Sequence, residues 1–238
     1  MRYAISNDMD EMKIPESTSN VVHKIPFEER AETDEEKGAL DRLRTRARSL
    51  EKILFNAYGS APSSKKIGDA MDYVREDLIE VAHSAQQFGK HYDNFRVGAV
   101  ILGLRHTEKP SDNPWIVLFN ANTKLRKQDN KWCAEQYLMD EVEKPENKIS
   151  QVLGFIIVGK ARADDVSHVH GVTLTPCKIC RDRMMQITKK SESAVTPETE
   201  VFTANSENWH GVKNFGLRKI QRVKDLHAFH RENEIEID

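Results

Sequence analysis

Val152-Leu153-Gly154-Phe155-Ile156-Ile157-Val158-Gly159 is an unbroken apolar run. A half-exposed strand alternates polar with apolar residues, so a run without alternation suits a strand covered on both faces. On either side of it in sequence, residues 133–143 and 177–187 read as helices. Upstream, Phe95 to Leu104 and Trp115 to Ala121 read as strands joined by the short polar, Pro-containing stretch Arg105–Pro114, which favours an antiparallel pair. A helix over roughly 69–88 precedes them, with Met71, Val74, Leu78, Val81, Ala85 and Phe88 on one face and Gly89 at its end. Glu200 to Ala204 is a weaker strand, and Lys219 to Phe229 is a strand or a helix that pattern does not separate. This order predicts an α/β chain, a three-layer α/β/α sandwich around a mixed sheet, five-stranded if Lys219 to Phe229 is a strand.

Residues 1–60 read as an N-terminal extension with one long amphipathic helix, and 69–238 as the main domain. The first 30 or so residues have few large apolar groups and no sustained period, which predicts poor order. Thr33 and Glu36 form a capping-box pattern. Leu40, Leu43, Ala47, Leu50, Leu54 and Ala57 follow as one stripe, closed by Gly59. Arg42, Arg44, Arg46, Arg48 and Lys52 decorate this helix behind the acidic run Glu28 to Glu36, so docking by the stripe is preferred to a grip on nucleic-acid phosphates. Ser60 to Gly68 reads as a small-residue linker.

The 238-residue chain carries 36 Lys+Arg against 38 Asp+Glu, a formal net charge of −2, and so lacks the basic field of a protein that coats nucleic acid by charge alone. No stretch approaches the roughly 18 apolar residues of a membrane-spanning helix, and Met1 to Ser19 lacks the apolar core of a secretory signal. A cytoplasmic protein is expected.

The three cysteines are Cys133, Cys177 and Cys180, an odd number for a disulfide framework. Cys133-Ala134-Glu135 and Thr175-Pro176-Cys177-Lys178-Ile179-Cys180 each open a predicted helix. Sulfurs of a C-x-x-C on a first helical turn point the same way, and a third thiolate from another helix start completes three of zinc's four positions. Helix N-termini favour the deprotonated thiolates that zinc requires. Three protein ligands leave a position for water, beside which Glu135 is placed to move protons. Alternatives stay open at this level: a redox C-x-x-C pair, or a closed structural zinc site with His168 or His170 as fourth ligand.

The two half-motifs together resemble the zinc deaminase signature, with Cys133 where the His-x-Glu form has histidine. From about Asp69 to Phe229 the chain resembles the cytidine deaminase family in its all-cysteine zinc variant. Asn94-Phe95-Arg96-Val97-Gly98-Ala99 is similar to the first-strand motif whose aromatic and small residues frame the base pocket. Pro176-Cys177-Lys178-Ile179-Cys180-Arg181 is similar to the second motif with its trailing arginine. The resemblance implies a Zn²⁺ cofactor and hydrolytic deamination of a cytosine base, with cytidine or deoxycytidine as the leading substrate. It assigns Cys133, Cys177 and Cys180 to the metal and Glu135 to proton transfer. Phe95, Asn120, Asn122, Ala134 and Phe229 are assigned to substrate. Arg181 offsets the net −1 charge of three thiolates on Zn²⁺. Leu226-His227-Ala228-Phe229 is similar to the C-terminal aromatic segment that crosses to a neighbouring subunit, which implies a homo-oligomer, a dimer or tetramer.

Two departures bear on the substrate. Asn120-Ala121-Asn122 stands where the family holds ribose with Asn-x-Glu. The stretch from Asn122 to Cys133 is basic (Lys124, Arg126, Lys127, Lys131), either a solvated loop or a rim for a phosphate or polynucleotide. The runner-up is therefore a deaminase acting on cytosine in RNA or single-stranded DNA, or on a modified base. A non-catalytic, zinc-stabilised binding module is the reading of another class, and it leaves Glu135 without a use.

Overall fold

The computed structural model describes residues 27–127, 131–160, 176–206 and 218–226. The apolar run lies within β5 (Ile149–Gly159), the middle strand of a five-stranded sheet ordered β3-β2-β5-β6-β7. Strands β2 (Val97–Arg105) and β3 (Trp115–Ala121) pair antiparallel, and β2 also runs antiparallel to β5. β6 (Glu200–Asn205) is parallel to β5, and β7 (Arg218–Arg222) antiparallel to β6. The sheet is mixed, as expected. A register shift opposite Leu102 and Gly103 leaves Leu153 as an extra residue in β5, a bulge that interrupts strict alternation. β1 (Lys90–His91) and β4 (Thr123–Lys124) form a separate two-stranded parallel ribbon.

Helices cover both faces. α1 (Asp34–Tyr58) and α2 (Ser64–Gln86) bury Leu40, Leu43, Leu50, Leu54, Val74 and Leu78 in one core with Val100, Leu102, Trp115 and Val117. α3 (Ala134–Glu143) and α4 (Lys178–Ile187) form a second core on the other face, where Leu138, Met139 and Met184 meet Ala99, Ile101, Phe155 and Ile157. Three layers result.

α1 starts where its capping box stands: Glu36 N–H donates to Thr33 Oγ1 at 3.1 Å and Thr33 N–H to Glu36 Oε2 at 3.0 Å. It stops at Gly59, whose φ of 77° is open to glycine at little cost. α2 begins earlier than expected. Ser63, in extended conformation, caps it by accepting from Lys66 N–H at 3.5 Å, so half of the expected linker is helix. Small polar residues after a proline serve equally as loop or as N-cap, and here the cap wins.

α1 lies along β3, the edge strand. Glu51 Oε1 accepts from Val117 N–H at 2.9 Å, and Trp115, fully buried, donates its indole N–H to Gly59 O at 3.1 Å. The helix thus occupies a hydrogen-bonding group, the Val117 N–H, that an open edge would offer to other chains. α2 packs so closely on β2 that a Cβ at Gly98 would stand 1.9 Å from Ala82 O. Gly98 therefore faces α2, while Val97 and Ala99 face α3, as the two-residue period of a strand requires. The expectation of poor order fails for its last residues: Phe27–Arg30 is a 3-10 turn with Phe27 and Arg30 buried. Phe27 lodges against the rings of Phe88 and Phe119, each 5.5 Å away.

Candidate active site and metal centre

Cys133 and Cys177 are the N-cap residues of α3 and α4, and Cys180 lies on the first turn of α4. The approach to Cys133 is fixed by a bridge: Thr123 N–H donates to Trp132 O at 2.8 Å and Trp132 N–H to Thr123 O at 2.9 Å. Two helix starts then meet above the same face of the sheet. Cys133 Sγ and Cys177 Sγ are 3.4 Å apart, as are Cys177 Sγ and Cys180 Sγ, and all three sulfurs lie within 4.8 Å of one another.

Thiolates around a tetrahedral zinc at about 2.3 Å stand roughly 3.8 Å from each other, so the triangle has the size for one ion. The donor set fits as well, since buried sulfurs at two positive helix ends suit a soft-ligand divalent metal. The three cysteines are positioned to bind zinc. Cys177 is pushed far down by hydrogen bonding with Cys133 and then Cys180, whereas Cys133 is pushed up by its bond with Cys177 and by burial, and Cys180 by its bonds with Cys133 and Cys177 and by burial.

Glu135, on the first turn of α3, is 3% exposed. Burial first, and the charge of Cys177 second, push its carboxyl up to about 7. The Lys131 ammonium opposes that rise, and a bound divalent cation would oppose it too. Arg181 is buried and donates Nη1–H to Pro176 O at 2.7 Å, directly before Cys177. Ala134 is fully buried in the core with Val97 and Ala99.

Asn120 lies opposite Ala99 on β2, and its Oδ1 accepts from Ala121 N–H at 2.8 Å. Asn122 is fully buried. Its Oδ1 accepts from Val97 N–H at 2.7 Å and its Nδ2 donates to Phe95 O at 2.8 Å. This amide therefore bonds to backbone, tying the end of β3 to the Phe95 loop. In that loop Asn94 takes a left-handed φ of 63°, which asparagine tolerates, and Asp93 Oδ1 accepts from Phe95 N–H at 3.1 Å. Lys131 Nζ sits 4.8 Å from the Phe95 ring centre and His91 meets that ring edge-on at 5.8 Å. Phe229, His168 and His170 lie outside the described residues.

The sequence reading placed Lys131 only within a basic stretch. Its position two residues before Cys133, on an extended approach, was the available signal. Arg30 carried no signal, since its contact with the β3 terminus spans 91 residues.

The fold and the site define a class: an α/β/α sandwich with a three-sulfur metal site and a buried carboxylate at two helix starts. A family model described as the cytidine and deoxycytidylate deaminase zinc-binding region matches residues 73–195. The chain belongs to this family. Among solved structures, the chain is similar to a cytidine deaminase from Burkholderia pseudomallei, with 21% identity, 63% of this chain and 93% of that chain covered, and a TM-score of 0.43. It is also similar to a cytidine deaminase from Mycobacterium leprae, with 17% identity, 64% and 95% covered, and a TM-score of 0.39. No curated protein matches the sequence. Among the described residues, no helix is long and apolar enough to cross a membrane.

Proposed function

We propose that the protein is a zinc-dependent hydrolase that deaminates a cytosine base, with a free nucleoside, cytidine or deoxycytidine, as its substrate. The observation that supports this is Glu135, a buried carboxylate two residues from one cysteine of the triad, which a purely structural metal would not need. Zinc, when bound by Cys133, Cys177 and Cys180, supplies an acidified water and a Lewis acid. Glu135 would take a proton from a water held beside it and deliver it to N3 of the ring. The hydroxide left behind would add at C4, and the proton of the new C4 hydroxyl would pass through Glu135 to the amino group as the C4–N bond breaks, releasing ammonia and leaving the C4 carbonyl of the uracil product. Arg181 offsets the negative charge of three thiolates on a divalent ion. Phe95, Asn120 and Ala134 line the base and sugar side in this reading, and Asn122 holds the frame that presents Phe95.

Two lysines set over aromatic rings favour a second reading, a polynucleotide or phosphorylated substrate. Lys124 lies 5.6 Å from the Tyr92 ring centre and Lys131 4.8 Å from that of Phe95, pairing charge for phosphate with aromatic faces for bases. Ammonia release from cytidine, deoxycytidine, single-stranded DNA and tRNA, measured side by side, separates the two. Glu135→Ala is expected to keep zinc and fold while turnover drops by roughly 10²–10⁴. Near-normal turnover in that variant would remove Glu135 from the proton path.

A further inference from the structure

Arg30 is 1% exposed although it belongs to the N-terminal extension. Its Nη1–H donates to Ala121 O at 2.6 Å, and its guanidinium carbon lies 5.1 Å from the Phe27 ring centre and 4.7 Å from that of Tyr137. Burial lowers its pKa to about 10, so it is still a cation at neutral pH. Desolvating a cation costs free energy, and an apolar side chain of the same volume often docks as well or better. What the guanidinium adds over such a side chain is direction: a donor aimed at one carbonyl and a flat face between two rings.

The two groups it joins both lead into the site. Ala121 stands between Asn120 and Asn122, the latter bonded to both Phe95 and Val97. Tyr137 lies one turn beyond Cys133 and two residues beyond Glu135, and its hydroxyl is 2.7 Å from Thr123 Oγ1. We infer that Arg30 is a positioning residue of the candidate active site, holding the end of β3 with Asn120 and Asn122 against the first turn of α3 with Cys133 and Glu135. A side chain of the extension thereby becomes part of the pocket's frame. The kinetic arm of the test rests on the cytosine-deamination reading; the exchange arm does not.

Wild type, Arg30→Met and Arg30→Lys are compared in zinc content, KM and kcat on the substrate that wild type deaminates, and amide hydrogen exchange. Methionine keeps the apolar contacts and loses the donor, whereas lysine keeps a charge and one donor. Arg30→Met is expected to retain zinc, raise KM about tenfold with a smaller change in kcat, and speed exchange at residues 120–124 about tenfold, leaving β5 unchanged. Arg30→Lys is expected to fall between the two. A merely structural arginine would lower the melting temperature and leave KM and local exchange untouched well below it. That pattern in a folded Arg30→Met overturns the inference. If Arg30→Met does not fold, Arg30→Lys decides: faster exchange at 120–124 supports it, and wild-type exchange or failure to fold overturns it. A wild type that deaminates none of the cytosine compounds defeats the functional reading alone, since exchange still answers the question about Arg30.

Discussion

At Cys177 three influences converge: the start of α4, the neighbouring thiols, and a backbone hydrogen bond within the Cys177–Cys180 turn. Each favours the thiolate, and a thiolate is what a divalent metal needs. The residue is also the hub of the triangle, 3.4 Å from both other sulfurs. Replacing it removes a ligand and the link between two helix starts together. Cys177→Ala is expected to lose zinc, as measured by metal analysis of chelator-free protein. It should also lose about 4 kcal/mol of stability wherever free zinc exceeds its dissociation constant a thousandfold. A variant that keeps one zinc per chain and its melting temperature would show that the metal lies elsewhere. Glu135 differs in kind from the cysteines. It is buried without being one of the three sulfur donors, so its removal is expected to leave the sulfur triangle between α3 and α4 intact.

At the scale of elements, α1 and the edge strand depend on each other. Glu51 reaches from α1 to the Val117 N–H of β3. Burial raises its pKa, although the Val117 bond and the charges of Arg105 and Arg48 pull the other way. A carboxyl whose folded pKa lies above its unfolded value contributes most below the unfolded pKa, and that contribution is lost as pH rises through the folded pKa. Glu51→Gln keeps an acceptor for Val117 and removes the charge. The variant is therefore expected to gain on wild type as pH rises from about 4 to 7, by under about 1 kcal/mol in denaturant titrations. A constant difference across that range would show that Glu51 ionises in the fold as freely as in the unfolded chain. α2 depends on β2 in another way, through the missing side chain of Gly98. The sequence resemblance tied this glycine to the base pocket, but its side of the strand belongs to α2.

Across the whole molecule, what the sequence made legible follows the range of each interaction. The Cys177–Cys180 pair was readable because a first helical turn fixes its geometry locally, and β5 was readable because burial on both faces removes polar residues from a contiguous run. The capping box of α1 was equally local. The start of α2 was misplaced because Ser63 and Ser64 suit a loop and a helix start alike. The β1–β4 ribbon was missed because two-residue strands carry no period. Arg30 was unreadable because its partners, Ala121 and Tyr137, are distant in sequence and come together only through the fold. The long-range contacts of α1 have a consequence for unfolding. Leu54, fully buried, shares one core with Trp115 and Val117 of β3, and the chain just beyond β3 bridges through Thr123 to Trp132, the residue before Cys133. A helix that is part of the core cannot leave without exposing the edge of the sheet, so the described elements are expected to unfold as one cooperative unit. Leu54→Ala opens a cavity and is expected to cost about 2–5 kcal/mol. In calorimetry of the zinc-loaded protein the whole transition should move down as a single peak, with zinc release, followed by a chromogenic chelator, moving with it. A separate early peak without zinc release would instead make α1 an independently melting appendage.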